Sequence, residues 1–575
     1  MPHRPLSLEH FRQRLAHADA LPQLVVLGVL AGLAAGGLIS LFRSADTLLQ
    51  AWMLPAGAER FEDLDDLHRL LFPIGGSLLL ILLFAAVPAH ARTVGIVHML
   101  ERLTNYEGRL PLFNLCIQAL AALVALASGH SVGREGPAVH MGAAAGSQLG
   151  QRLSLPNNSM RILVGCGAAA GIAAIFNTPL AAVIFSMEVV LLEYTLIGFL
   201  PVMVAALVAD IVSRALVGEA LVFTAPSLTI DELTQLPLIA LLGLLCGLLA
   251  TGFHLLQMQT FRLKHWPFPI RFLLAGLLTG VVALQWPEVM GGGYDTIESL
   301  FNHTEPVLFL AGLLLAKCLL TPVVIGLGIP AGLIGPTLFI GAVAGALLGT
   351  LGAVITGTAH TGLYAMLGMG AMMAALLNAP LAALLAMLEF TQNTGIILPG
   401  MLAILVANLT TRFGFGLPSI FHASLQRQGL DLRQAPLAQI LSRAAVGSLM
   451  QRDFRQTSAQ LTLAEARQLL ADKPHWLLVN TDSRPVLMPP ADLRQHMDTL
   501  AEESDEDTPI DLLSLPAQRA DIEPLLYRAT LKEALDQMQQ KQLNYLLVVS
   551  NRDEPLGLIS RQQIEEYYNR KQTLS

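Results

Sequence analysis

The stretch GREGP at residues 133–137, followed by AVHMGAAAG to 146, returns 199 residues later as GLIGP at 332–336, followed by TLFIGAVAG to 345. Both copies fit G-x-x-G-P-x-x-x-x-G-A-x-A-G. A second pair follows in the same order. GAAAGIAAIFNTPLAAVIFSMEV starts at Gly167 and GMGAMMAALLNAPLAALLAMLEF at Gly368, 201 residues apart. They share N-x-P-L-A-A and then an acid, Glu188 or Glu389. Ala- and Gly-rich helices resemble one another by chance, but a shared Asn, Pro and Glu do not follow from that composition. Two matched blocks in one order predict a duplicated unit. An odd number of crossings between the copies would make them inverted; re-entrant helices leave that number open.

The surroundings of these blocks are strongly apolar. Of 575 residues, 53% are hydrophobic and only 14% charged, against roughly 25% charged in a soluble domain. Charge is unevenly spread: residues 441–575 hold 15 Lys or Arg and 20 Asp or Glu, and the first 440 hold 20 and 23. The chain therefore reads as an α-helical polytopic membrane body followed by a soluble tail. Apolar stretches of spanning length recur at roughly 22–43, 70–88, 113–129, 160–176, 196–217, 236–258, 268–285, 306–328, 338–356, 361–392 and 394–410. Gly and Pro interrupt many of them. Backbone breaks inside a bilayer only where protein buries it or a cavity receives it, so broken Gly-rich helices point to a transport site.

Other classes are excluded or disfavoured. Clustered Lys and Arg of a nucleic-acid footprint are absent. Cys116, Cys166, Cys246 and Cys318 form no CxxC and read as buried small hydrophobes, not as metal ligands. The body has no HExxH and no GxSxG, so no hydrolase, and no enzyme, is expected. Arg4, Arg12 and Arg14 before the first apolar run predict a cytoplasmic N-terminus; a removable signal peptide is not expected.

The chemistry of 133–137 follows from its residue types. Pro137 suits a first helical turn, and the glycines allow tight backbone at the helix start. Free N–H groups and the positive dipole end make an anion site. Glu135 at that point is an ionisable group in an apolar body, costly and functional as a rule. It can occupy the anion site as a tethered competitor and open the path when protonated or displaced. The alternative is a surface ion pair of the glutamate with Arg134. The second copy offers another helix start, with Leu333 and Ile334 and no charge.

GREGP, GAAAGIAAIFNTPLAA (167–182) and GIPAGLIGP (328–336), in that order, resemble the CLC family of chloride channels and chloride/proton antiporters, in its bacterial ClcB-like branch. The resemblance covers roughly residues 20–428. It implies an inverted repeat of broken and tilted helices (roughly 70–220 and 268–415), a homodimer with one anion pathway per subunit, and a place in the bacterial inner membrane with both termini cytoplasmic. Chloride would be the ligand, bound around Val94, Gly95, Gly133, Arg134, Glu135, Gly136, Leu333, Ile334 and Phe421. Glu135 would be the gate, and the backbone amides of Leu333 and Ile334 would bind the central anion.

Three positions depart from the family pattern. Val94, within TVGIV at 93–97, stands where the family has a serine hydroxyl, and Phe421 where it has a tyrosine. A hydrogen bond to a charged group is worth ~1.5–3 kcal/mol, so the loss of both bears on affinity and selectivity. The inner proton-coupling glutamate is replaced by Val189, just after Glu188. An aliphatic residue there resembles the channel branch.

The tail resembles a pair of CBS domains, at 441–500 and 513–575, behind a linker at 429–440 and around an acidic linker at 501–512; residues 1–20 precede the 21–428 body. CBS pairs often bind adenine nucleotides, with an acid closing the last motif on the ribose. Here that position is Gln563, which leaves Ser560 to meet a phosphate, and a structural, dimerising cytoplasmic module is expected instead. The expected function is a chloride channel with gated passive transport, no cofactor and no metal. Chloride/proton antiport is the alternative. A membrane-anchored CBS sensor is a second alternative, disfavoured because an anchor needs no broken helices.

Overall fold

The computed structural model describes residues 15, 20–55, 57–218, 223, 235–356, 360–430, 440–481, 485–499 and 505–572. Most of the expected N-terminal segment 1–20 and of the linker 429–440, and the first part of the acidic run at 501–512, lie outside the described residues. The chain divides into two compact units: Leu24–Leu153 with Met160–Leu432, and Met1–Gln23 with Ser154–Ser159 and Arg433–Ser575.

The first unit is helical. In chain order it holds α1 (Leu21–Met53), α2 (Asp66–Ala85), α3 (Gly95–Asn105), α4 (Leu112–Ala127), α5 (Glu135–Arg152), α6 (Asn157–Phe176), α7 (Pro179–Phe185), α8 (Leu196–Val217) and α9 (Leu236–Thr260). There follow α10 (Phe268–Ala283), α11 (Tyr294–Asn302), α12 (Val307–Leu327), α13 (Ile334–Thr356), α14 (Thr361–Leu377), α15 (Pro380–Thr391), α16 (Ile397–Leu409) and α17 (Ile420–Gln426). Among the described residues eight helices are long and apolar enough to cross a membrane. Large side chains such as Leu41, Leu82, Leu308 and Leu405 stand exposed on them, as a lipid-facing surface requires. The stretch expected as one apolar run at 361–392 is two helices. Asn378 takes a left-handed conformation between them, and Pro380 opens the second.

The duplicated motifs meet. The Gly133 N–H donates to the Gly332 carbonyl at 2.7 Å and the Gly332 N–H to the Gly133 carbonyl at 2.7 Å, an antiparallel bridge between the two copies. A Cβ on Gly136 would lie 2.7 Å from the Gly332 Cα, so only glycine permits this approach. The helices behind the motifs pack alike. A Cβ on Gly142 would meet the Gly167 carbonyl at 2.2 Å, and one on Gly341 the Gly368 carbonyl at 2.3 Å.

In the second unit a six-stranded sheet runs β1-β3-β4-β6-β7-β8, with strands β1 (Phe454–Ser458), β3 (Trp476–Asn480), β4 (Val486–Met488), β6 (Ala520–Leu526), β7 (Tyr545–Val549) and β8 (Pro555–Ser560). Each half has one parallel and one antiparallel pairing, and β4 joins β6 antiparallel. Leu478, Leu487, Ile522, Leu547, Val549 and Leu558 form the core under that junction. The segment 501–512 ends as a strand and not as free linker: β5 (Pro509–Asp511) pairs with β2 (Gln460–Thr462).

Candidate functional site

A cavity of about 460 Å³ enters the first unit. Arg92, Lys264 and Arg271 line it against one acid, Glu101, which leaves the lining positive, and Val94, Gly95, Gly136, Gly332, Leu333 and Phe421 line it as well. The fold thus gathers six residues separated by up to 327 positions in sequence. Gly95 has φ +90°, a left-handed value that only glycine adopts without strain, and Val94 precedes it as the cap of α3. Helix N-termini from α3, α5 and α13 therefore converge here, each presenting orphan N–H groups. Val94 and Phe421 contribute no hydroxyl to the cavity. Ile334 opens α13 but lines a separate small pocket with Phe176 and Phe390; of the two second-copy residues, Leu333 alone lines the main cavity.

Glu135, the first residue of α5, is fully buried. It is not among the residues lining the cavity. Its carboxylate crosses to the other repeat: a Cβ on Gly335 would lie 2.6 Å from Oε1, and one on Gly332 3.1 Å from Oε2. Oε1 accepts a hydrogen bond from the Tyr294 hydroxyl. Arg134 does not pair with Glu135. Its guanidinium bonds Glu59 at 3.1 Å and lies 4.7 Å over the Tyr294 ring. The Glu59 backbone N–H donates to Gln50 Oε1 at 2.9 Å, and Gln50 donates to Asp46 at 3.0 Å. Beside this network, burial and then the Asp295 carboxyl push the Glu62 carboxyl up to about 8.

The acid of each N-x-P-L-A-A block caps a helix of the other repeat. Glu188 accepts from the N–H groups of Leu381 and Ala382 at 3.2 and 2.9 Å. Glu389 accepts from those of Leu180 and Ala181 at 3.0 and 2.8 Å. The reciprocal caps explain why both copies keep the acid. Val189 is buried in a π segment spanning Ser186–Leu191; neither it nor Glu188 lines the cavity.

Two features escaped the sequence reading. One is Tyr294. The other is a buried imidazole pair, His98 Nδ1 and His140 Nε2, 3.0 Å apart, one turn inside α3 and within the second turn of α5. Their sequence signal is a histidine shortly after each glycine-led helix start, Gly95 and Gly136. In the second unit Ser560 and Gln563 bond each other: the Ser560 N–H meets Gln563 Oε1 at 2.8 Å and the Gln563 N–H meets Ser560 Oγ at 3.2 Å. They cap the helix Arg561–Gln572 and do not line the cleft of Thr481, Asp521, Glu523 and Lys541. No cluster of three metal-ligating side chains occurs among the described residues.

The family model described as "Voltage gated chloride channel" matches residues 75–412. The chain belongs to the CLC family. A CBS domain model matches residues 520–570. The chain is similar to a putative chloride channel protein ClcB-like of Ralstonia nicotianae, 33% identical over 421 residues, covering 70% of this chain and 97% of that protein. It is 33% identical over 337 residues to an H(+)/Cl(-) exchange transporter ClcA of Vibrio cholerae, covering 56% and 72%. Among solved structures it resembles a slow cyanobacterial Cl-/H+ antiporter with TM-score 0.61 and 25% identity, covering 70% of this chain and 97% of that one. A eukaryotic CLC transporter matches with TM-score 0.58 and 20% identity over 97% of this chain and 98% of that one, a likeness of fold that takes in the tail. This CLC chain is therefore a polytopic membrane protein of a transporter family, with a mixed-sheet CBS region behind it. Of these relatives, one is named as a putative chloride channel and two as chloride/proton exchangers.

Proposed function

We propose that this protein exchanges chloride for protons across a bacterial membrane, with Glu135 as the gating carboxylate. The observation that carries the reading is the placement of Glu135. Its carboxylate rests against Gly332 and Gly335 at the start of α13, next to Gly136, Gly332 and Leu333, which line the cavity. A tethered carboxylate there competes with an anion for the same helix terminus. Basic side chains draw chloride into the cavity, and backbone amides around Gly95, Gly136, Leu333 and Ile334 hold it. Protonation discharges Glu135 and releases the terminus, so a proton enters as an anion passes. The names of the ClcA relatives support exchange, as does that of the cyanobacterial structure.

A passive channel is the second reading, favoured by Val189, an apolar side chain at the expected inner coupling position. The working unit is a homodimer with both termini cytoplasmic, and the tail is a dimerising module. The deciding experiment is proton uptake by proteoliposomes under a chloride gradient. Uphill proton movement that follows the chloride gradient supports exchange. Chloride flux with no proton movement, and a reversal potential insensitive to a pH gradient, supports the channel.

A further inference from the structure

The run GGGYD at 291–295 belongs to neither duplicated block, and no role above uses it. Gly291 and Gly293 have φ of +58° and +73°, left-handed values that a side chain would strain. Gly293 is the cap of α11 and Tyr294 its first residue. This turn aims the phenol at Glu135. Three contacts fix the ring: Phe176 at 6.1 Å, Phe223 at 6.0 Å and the Arg134 guanidinium at 4.7 Å. Gly335 leaves room for both oxygens, since a Cβ there would lie 2.5 Å from the Tyr294 hydroxyl and 2.6 Å from Glu135 Oε1. Glu135 Oε2 has no hydrogen-bond partner among the described residues. The Tyr294 hydroxyl is thus the one side-chain donor to this carboxylate among the described residues.

We propose that Tyr294 is a positioning residue that latches Glu135: its hydroxyl holds the ionised carboxylate across the pathway and so sets the external pH at which the gate is released. The inference rests on Glu135 being the gate. A phenol O–H donated to a carboxylate favours the ionised form. Val94 and Phe421 line the cavity without a hydroxyl, and Tyr294 is not among the residues that line it. The charged groups around the latch are Arg134 over the ring, Glu59 paired with Arg134, Asp46 and Arg43 beside that pair, and Asp295 with Glu62 and Lys317 on the α11 side. None of them donates to Glu135 directly.

The test is chloride flux through the purified full-length protein in liposomes, measured against external pH. Tyr294→Phe removes one oxygen and keeps the ring contacts. It should move the midpoint of activation up by about one to two pH units, the worth of a hydrogen bond to a charged group. A second form, with 3,5-difluorotyrosine at 294, is a stronger donor of the same shape and should move the midpoint down. Glu135→Gln, alone or with Tyr294→Phe, should give a flat profile. If Glu135→Gln is flat but the Tyr294 forms leave the midpoint in place, or move it in the opposite directions, the latch is overturned and the gate stands. If Glu135→Gln keeps the wild-type profile, the gate is overturned and the latch with it.

Discussion

The first G-x-x-G-P copy places Arg134 and Glu135 where the second places Leu333 and Ile334. The backbones are otherwise matched. They bridge each other at Gly133 and Gly332, lead into helices of similar length, and are followed by helices crossed at equivalent glycines. The N-x-P-L-A-A blocks are matched even in their side chains, since Glu188 and Glu389 cap each other's partner helix. What separates the repeats at this motif is one titratable group, Glu135, and the shell that holds it. Duplication builds a symmetric cradle of helix ends, and under the proposed function a local departure from symmetry gives it a response to protons.

The strongest way to break the symmetry is at its contact point. Gly136→Ala would put a methyl 2.7 Å from the Gly332 Cα, a backbone atom that cannot swing away. Overpacking costs ~1–3 kcal/mol in ordinary cores, and folded yield and melting temperature should fall sharply. Gly37→Ala in α1 meets nothing within 4 Å and should be tolerated. Equal stability of the two variants would refute the close pairing of the motifs.

Next in size is removal of the asymmetry itself. Glu135→Ile makes the first copy resemble the second, and the external-pH dependence of flux, up to ~tenfold per pH unit for one carboxylate, should flatten. The converse change, Ile334→Glu, should add a second pH-dependent block. Flux measured over several external pH values checks both.

The reciprocal caps predict equal effects. Glu188→Gln and Glu389→Gln each weaken two charge-assisted hydrogen bonds and should each cost about 1–2 kcal/mol, read as similar drops in melting temperature. Neither should change the proton-to-chloride ratio. Loss of proton movement in Glu188→Gln alone would mark that acid as part of the proton route and end the comparison.

The smallest effect lies at the Glu62–Asp295 pair. With the Glu62 carboxyl raised from 4.5 to about 8, the folded state holds a proton that the unfolded chain has released. The contribution of Glu62 to stability is then full below pH 4.5 and is lost as pH rises towards 8. Glu62→Gln should remove that slope. Asp295→Asn should only reduce it, because burial is the larger cause. Melting temperatures across this window test the sign.

Much of the architecture was legible from residues 133–146, 167–189, 332–345 and 368–390. Helix starts, breaks and apolar runs are local signals, carried by Gly, Pro and hydropathy within one or two turns. They determined the duplicated helical body, the polar tail, the place of Glu135 at a helix start, and the family. Contacts between distant segments were not legible. Arg134, whose pairing with Glu135 was the alternative reading, pairs with Glu59 instead, 75 positions away in sequence. Glu188 stood out only as the acid before Val189, and nothing near it in sequence points to Leu381 and Ala382, 193 and 194 positions away. Tyr294 follows three glycines, and no local pattern says which carboxylate its hydroxyl meets. The sequence by itself determined which helix ends exist and which carries a charge. Only the tertiary structure decided which of them face one another, because side-chain hydrogen bonds act over about 3 Å and their partners here lie 75 to 209 positions apart along the chain.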